Sequence, residues 1–536
     1  MPLTKIIDQN TFEARIEKLS APSNLPLFCS ILRGIEREGL RVDKSGHIAK
    51  TPHPSALGST LTHPYITTDY SEALLEFITE PTNSIEDVLH QLRLVLGSAS
   101  HEIGDEVLWA ASMPCQLGPD NEIPVAHYGS SNSGRMKEVY RLGLGHRYGR
   151  KMQTIAGIHF NYSLPDAMWN VLRRQDGSTL ALQDYKTQGY FNMIRNFRRW
   201  LWLLLYLTGA SPAVCRSFVK DREHELSELD KNGHSLGATY GTSLRMGDLG
   251  YQSNAQNELS VCYNSLEHYI DILRDAILDE RDNYQSIGVQ DAQGQYQQLN
   301  AGLLQIENEF YSTIRPKQTA RRGETQLKAL RDRGVEYIEV RCLDLNPFDA
   351  VGISEQQIHF VEAFLLTCLL TPSPQTSDEE HKIIQQNQNA AVYQGRSPQM
   401  QLERINKPNT TVAEWGKAIF ESIERCANLL DTAGDTKNYS QSVAHYAQSL
   451  EHPEQTPSAQ ILRELEESGS SFHGWALKQS QKATEELSHI QISPEDKLRL
   501  DEIAKESHVA QKQIEKEDTM SFDRYLFEYF EQYRNL

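Results

Sequence analysis

The chain has 536 residues, of which 39% are hydrophobic and 23% charged, so it holds enough apolar material for a sizeable core and is not disordered throughout. Its 53 basic and 72 acidic residues leave a net charge of −19, which disfavours nonspecific binding to nucleic acid or to anionic membranes. Length alone suggests two to four folding units or one large enzyme domain. The longest apolar run, Trp200 to Leu207, is interrupted at Gly209 and Ser211 and is far short of the ~20 residues a membrane span needs. The N-terminus shows no signal-peptide apolar core. Seven scattered cysteines, none in a Cys-x-x-Cys pair, read as reduced and mostly buried thiols of a cytoplasmic protein.

In chain order, Ile31 to Val42 reads as a strand. Asp69 to Ile78 and Ile85 to Leu96 read as helices, Asp69 and Glu72 having the spacing of a capping box. Gln153 to Ser163 alternates an apolar face (Ala156, Ile158, Phe160, Tyr162) with a mainly polar one (Gln153, Gly157, His159, Asn161), the pattern of a half-buried strand. Tyr337 to Leu343 is a third strand. Strands and helices mix without a βαβ rhythm, so the fold class is α+β with an antiparallel or mixed sheet. Past residue 376 the texture changes. Only five of the 32 glycines remain, and Gln, Glu, Lys and Ala dominate at helical spacing. Ser493-Pro494-Glu495-Asp496 reads as a helix start, and Ser468 to Ser471 as a loop. The expected division is a catalytic region over 1–376 and a mostly helical region over 377–536 packed on it.

Several acids lack an obvious purpose as plain surface charge. Glu36 and Glu38, two apart on a strand, share one face roughly 7 Å apart. Either solvent or a cation must relieve them. Glu76 lies at i+7 from Asp69 amid Leu74, Leu75, Phe77 and Ile78, where a carboxylate needs a partner. Glu339 and Arg341 share a strand face, which suits an ordinary ion pair or a metal ligand beside an anion clamp. Arg315, Lys317, Arg321 and Arg322 form a cationic cluster that is either a solvated loop or a phosphate site. Thr242-Ser243-Leu244-Arg245, followed by Tyr251, suits a small-anion pocket or a turn. There is no P-loop, no Gly-x-Ser-x-Gly elbow and no His-Glu-x-x-His helix, and Gly143 to Gly149 only approaches a Rossmann fingerprint. With carboxylates plentiful and His/Cys clusters absent, a bound metal is expected to be hard, Mg²⁺ or Mn²⁺. His159 reads as a structural or substrate-bonding residue.

The stretches RGIEREGLRV, HPSALGSTLTHPYITTDYSEALLEFIT, DEVLWAASMPC, YGSSNSGRMK, YGRKMQTIAGIHFNYSLP, GASPAVC, TSLRMGDLGY, LQIENEFYSTIRPK and GVEYIEVRCLDLNPF occur in order over about residues 30 to 350. In these the chain resembles the bacterial glutamate–cysteine ligases, a branch of the glutamine-synthetase-like carboxylate–amine ligases. The resemblance implies a twisted antiparallel sheet shaped into a funnel with helices outside it. It implies metal ligands at Glu36, Glu38, Asp69, Glu76 and Glu339, with Glu72 left as a capping residue. It implies substrate contacts at Tyr140, Arg245, Tyr251, Tyr311 and Arg341, with His159 and Gln153 facing the same cavity, a catalytic Arg341, and ATP contacts at Arg315 and Lys317. The reaction implied is ATP-dependent joining of the γ-carboxylate of L-glutamate to the amine of L-cysteine through a γ-glutamyl phosphate, the first step of glutathione biosynthesis. No protein nucleophile, nucleic acid, membrane or obligate protein partner is implied. A related ligase with another amine acceptor, or an inactive nucleotide- or amino-acid-binding module, shares much of this pattern.

Overall fold

The computed structural model describes residues 9–114, 116–220, 222–250 and 259–536. Its centre is an open antiparallel sheet of β1 (Leu32–Val42), β2 (Ile66–Thr68), β3 (Leu74–Ile78), β4 (Val107–Leu108), β5 (Ile158–Ser163), β9 (Ile314–Lys317) and β10 (Tyr337–Leu343). The order across the sheet is β2-β3-β1-β5-β10-β9, and β4 pairs with the end of β1. A small three-stranded sheet, β6 (Ala213–Cys215), β7 (Ser227–Glu228) and β8 (Ser235–Gly237), and a hairpin, β11 (Leu402–Arg404) and β12 (Lys407–Thr410), lie apart from it.

Side chains alternate across the central sheet. One face carries Ile35, Leu75, Phe77, Ile158, Phe160, Ile338 and Val340, all fully buried. The helices Ile85–Glu102 and Leu182–Thr208 pack on this apolar face, and the helix Glu355–Leu370 packs on Leu182–Thr208. The Trp200–Leu207 run is therefore the inner part of a core helix, and no helix among the described residues is long and apolar enough to cross a membrane.

The strands at 31–42 and 337–343 and the helix from Ile85 form where the residue pattern places them. Ser493 caps the helix Pro494–Glu517 by accepting a hydrogen bond from the Asp496 N–H. Two expectations fail. Residues 69–78 are no helix: Asp69 starts a turn after β2, and Leu74–Ile78 is β3. The pairing of β3 with β1 and β2 along its whole length outweighs the local helical preference of Ala, Leu and Glu. Glu72 is accordingly no cap. Its carboxylate accepts the N–H groups of His53 and His127, each at 2.6 Å, and ties two loops together. The strand expected from Gln153 begins only at Ile158, because Met152–Thr154 is a 3₁₀ turn.

The region after 376 is mostly helical and wraps the sheet domain. The helices Val412–Gly434 and Asn438–Gln448 pack on Glu355–Leu370, Phe472–Ser488 packs on Ile85–Glu102, and Phe522–Arg534 packs on Asn132–Tyr148. One buried link fixes this arrangement. Arg33 of β1 donates to Glu362 at 2.6 and 3.1 Å, and the Tyr439 hydroxyl donates to the same carboxylate at 2.7 Å. Both members of the ion pair are almost completely shielded from solvent. Breaking such a pair leaves an uncompensated buried charge. Glu362→Ala is expected to lower stability by about 3–5 kcal/mol, read as a drop in the denaturant midpoint, with Tyr439→Phe costing roughly 1 kcal/mol. A Glu362→Ala midpoint equal to wild type would show that this triad does not hold the two regions together.

Candidate active site

The other face of the sheet floors a cavity of about 490 Å³. Cross-strand register brings its side chains into a continuous row. Glu38 of β1 stands opposite Glu76 of β3, and Glu36 opposite His159 of β5. Asn161 of β5 stands opposite Glu339 of β10, and Glu339 opposite Arg315 of β9. Asp69, in the turn after β2, completes the acidic corner. These five carboxylates from three distant stretches thus line one hollow, together with Glu307, Glu324, Tyr140, His159, Tyr311, Arg315, Lys317, Arg341 and Gln153.

The row is polarised. At the β10 end, Glu339 takes Lys317 Nζ at 3.4 Å and Arg341 Nη1 at 3.1 Å. Burial opposes its ionisation, but Lys317, Arg341 and His159 outweigh it and hold the carboxyl well below its ordinary value. Glu36 is also held low against burial, chiefly by the His159 hydrogen bond at 3.1 Å, and Asn161 Nδ2 donates to it at 2.9 Å. At the β3 end the balance reverses. Burial, followed by the charges of Glu36, Asp69 and Glu38, pushes Glu76 well above its ordinary value. Burial and Asp69 raise Glu38 despite His159, and the Gly157 N–H donates to its carboxylate at 2.6 Å. Glu38 and Glu76 are therefore less well neutralised than Glu339 and Glu36, although Lys137 approaches Glu76.

His159 lies between the two ends. Its Nδ1 is 3.1 Å from Glu36 and 3.4 Å from Arg341, and its buried Nε2 has no hydrogen-bond partner, lying 3.7 Å from Glu38. One ligand atom from each of Glu36, Glu76 and His159 lies within 4.8 Å of the others. Carboxylate oxygens with one imidazole and an orphaned ring nitrogen fit a hard divalent cation.

The remaining expected residues occupy distinct places. Tyr311 accepts from Gln153 Nε2 at 3.0 Å on the cavity wall. Arg315 reaches back to the Asn308 carbonyl at 2.9 Å and the Ser312 hydroxyl at 3.2 Å, so it also braces the loop that carries Tyr311. Tyr140 comes from the helix Asn132–Tyr148, started by Ser131, whose hydroxyl accepts from the Gly134 N–H. Arg245 does not line the cavity. It is fully buried under the floor, where Nη2 donates to the Arg341 carbonyl at 2.8 Å and Nη1 lies 3.9 Å from Asp344. Asp344 is itself held by the Ala210 N–H and the hydroxyls of Ser211 and Ser243. The guanidinium passes so close to Gly157 that a Cβ there would collide with it. Tyr251 lies outside the described residues.

Sequence reasoning missed Lys137 and Arg141, which approach the acidic corner from the helix Asn132–Tyr148. Arg141 Nε donates to the Asp69 carbonyl, and both cations lie over the Tyr128 ring. Their i, i+4 spacing with Tyr140 beside them was the available signal. Tyr525 and Tyr529, from the end of the chain, also line the cavity.

A family model described as glutamate-cysteine ligase matches residues 16–391. The glutamate–cysteine ligase of Saccharophagus degradans is 51% identical over 95% of this chain and 96% of its own length. That of Alcanivorax borkumensis is 47% identical over 97% and 99%. Among solved structures, the glutamate–cysteine ligase of Francisella tularensis in complex with AMP superposes with a TM-score of 0.88 at 37% identity, covering 94% of this chain and 98% of that one. A bifunctional glutathione synthetase from Pasteurella multocida shares the fold with a TM-score of 0.71 at 24% identity, over 92% of this chain and 58% of that one. The chain belongs to the glutamate–cysteine ligase family.

Proposed function

We propose that the carboxylate-lined cavity joins L-glutamate to L-cysteine at the expense of ATP, giving γ-glutamylcysteine, ADP and phosphate. The single observation that carries the reading is the graded row of charge, from Glu339, Lys317 and Arg341 at one end to Glu38, Asp69 and Glu76 at the other, inside one cavity. A carboxylate and an amine do not condense in water because the leaving group is poor. The γ-carboxylate oxygen of glutamate attacks the terminal phosphorus of ATP, the bond to ADP breaks, and an acyl phosphate forms. The cysteine amine then attacks the acyl carbon, phosphate leaves, and the amine proton is lost.

Both substrates of the first step are anionic, and like charges ~4 Å apart repel by about 4 kcal/mol at an effective dielectric near 20. Arg341 and Lys317 neutralise phosphate oxygens and hold the glutamate carboxylate in line. Arg245, through the Arg341 carbonyl, fixes the strand that presents that guanidinium. Tyr140 and Tyr311 shape the side of the pocket that receives the small thiol. Glu36, Glu38, Asp69, Glu76 and Glu339, with His159, would hold Mg²⁺ or Mn²⁺, which would supply charge neutralisation to the anionic substrates. No cysteine is needed as nucleophile: Cys342 is buried and its thiol is pushed up to about 12 by burial. The six cysteines described are free thiols, as a reducing cytoplasm would keep them.

Incubation with ATP, Mg²⁺, L-glutamate and L-cysteine is expected to release phosphate only when both amino acids are present, with a γ-linked dipeptide as product. Clear preference for another amine at low concentration would reassign the acceptor. Glu36→Gln is expected to reduce ATP turnover at least ~100-fold with folding intact, and unchanged turnover at saturating Mg²⁺ would remove Glu36 from the ligand set.

Glu76 gives a test independent of turnover. Its folded pKa is raised above 4.5, so the stability it contributes is full below that pH and is lost as pH rises through the folded value. At pH 7.5 in chelator, Glu76→Gln is therefore expected to raise the thermal midpoint above that of wild type. With excess Mg²⁺ the order reverses, because only wild type gains the binding energy in full. Thermal midpoints that keep the same order in both buffers would refute a cation at this corner.

A further inference from the structure

The turn between the last two helices, Pro494–Glu517 and Phe522–Arg534, reaches the start of a helix that walls the active site. Asn132 is the first residue of the helix Asn132–Tyr148, which carries Lys137, Tyr140 and Arg141 to the cavity. The first N–H groups of a helix have no partner within it. Ser131 accepts that of Gly134, and the Asn132 N–H goes instead to Asp518 Oδ2 at 2.5 Å. Asn132 is itself buried, and its Nδ2 donates to Asp518 Oδ1 at 2.6 Å and to the Met520 carbonyl at 2.9 Å. One turn earlier in the tail, Glu515 accepts the Ser130 N–H at 2.8 Å and is held by Gln511 Nε2 at 3.0 Å. Gly129 packs so closely on Gln511 and Glu515 that a Cβ there would overlap both.

The segment clamped in this way holds the Asp69 turn. The Tyr128 hydroxyl lies 2.6 Å from the Thr68 carbonyl and 2.9 Å from that of Asp69. The Ala126 N–H donates to the Tyr70 carbonyl at 3.0 Å. Arg141, on the helix that Asp518 starts, donates Nε to the same Asp69 carbonyl and lies 4.5 Å over the Tyr128 ring. Two side chains from one clamped stretch therefore converge on one carbonyl. The carboxylate of that residue lines the cavity with Glu38 and Glu76, whereas Asp518 and Glu515 do not line it.

We infer that Asp518 and Glu515 are positioning residues for the cation corner: by fixing 128–132 and the start of the helix that follows, they set where Asp69 stands and so how tightly a divalent cation is held. This rests on the cation reading above. The tail acts through Tyr128 and Arg141 and touches neither cation nor substrate. Groups that orient metal ligands are worth about ten- to hundredfold in metal affinity, and carboxylates one step further out belong at the low end of that range.

The test is Mn²⁺ binding to the full chain without nucleotide or amino acids, followed by loss of the free-ion EPR signal. The double variant Glu515→Ala/Asp518→Ala is expected to raise the Kd for Mn²⁺ about tenfold. Asp518→Asn keeps an acceptor for the Asn132 N–H, and Asn serves a helix start as well as Asp does, so its Kd should stay within about twofold of wild type. Tyr439→Phe, which weakens the fold away from the cavity, should leave the Kd unchanged. In chelator, hydrogen–deuterium exchange in 66–74 should be faster in the double variant than in wild type. An unchanged Kd in the double variant, an equal rise in Asp518→Asn or Tyr439→Phe, or unaltered exchange in 66–74 would each overturn the inference. A wild type that binds no Mn²⁺ would instead count against the cation reading, and exchange in 66–74 would still decide whether the tail holds the Asp69 turn.

Discussion

Like-charged carboxylates crowded on one face of a sheet are the constraint around which this molecule is arranged. Glu36 and Glu38 share a face of β1, and cross-strand pairing sets Glu76 directly against Glu38. Directly opposed like charges destabilise a sheet, and burial in a cavity strengthens the repulsion. The protein answers half of it internally. Lys317, Arg341 and His159 hold Glu339 and Glu36 ionised, whereas Glu38 and Glu76 stay raised even with Lys137 and Arg141 near the corner. A corner in this state gains from any added positive charge, which is the physical basis for the cation proposed there.

The opposite face of the same strand shows how so much charge is tolerated in a core element. On β1, Glu36 and Glu38 face the cavity, and Arg33, Arg37 and Arg41 face away from it. Arg33 is paired with Glu362 and Arg41 with Glu106, at 2.6 Å each. Arg37, lying 5.9 Å from the Phe77 ring centroid, has two buried nitrogens without hydrogen-bond partners. Burial pulls its pKa down to about 10 against the opposing charge of Glu38. Arg37 and Glu38 therefore act on one another across β1, and the tail helices help to secure the strand through Tyr439.

What the sequence made legible follows from range. Strands at 31–42 and 337–343, the helix from Ile85 and the helix start at Ser493 depend on neighbours within a few residues, so local pattern sufficed. The long ordered motifs carried the acid set and the family. Residues whose role depends on tertiary approach were less visible. Arg245 reads as a pocket arginine, yet it lies beneath the floor because Gly157 admits its guanidinium and Asp344 anchors it. Lys137 and Arg141 look like ordinary charges of a surface helix until the helix is placed over Asp69. The tail offered only helical spacing, and nothing local marks Tyr525 and Tyr529 as facing a cavity formed by residues hundreds of positions earlier.

The misreading of 69–78 shows why side-chain direction matters more than secondary-structure type. In a helix Asp69 and Glu76, seven apart, fall on one face. In the hairpin they also share a face: Glu76 stands opposite Thr67, and Asp69 is two residues beyond Thr67. The two acids therefore lie together in the cavity despite the incorrect assignment of the backbone. Only the hairpin, however, puts Glu76 in register with Glu38 while Leu75 and Phe77 turn into the core. A helix would have left a single turn of acids beside the sheet, and a strand slipped by one residue would have buried Glu76 and exposed Phe77. The burial of two apolar side chains on the far face thus fixes the position of a carboxylate on the near one, and hydrophobic register aligns the charged row.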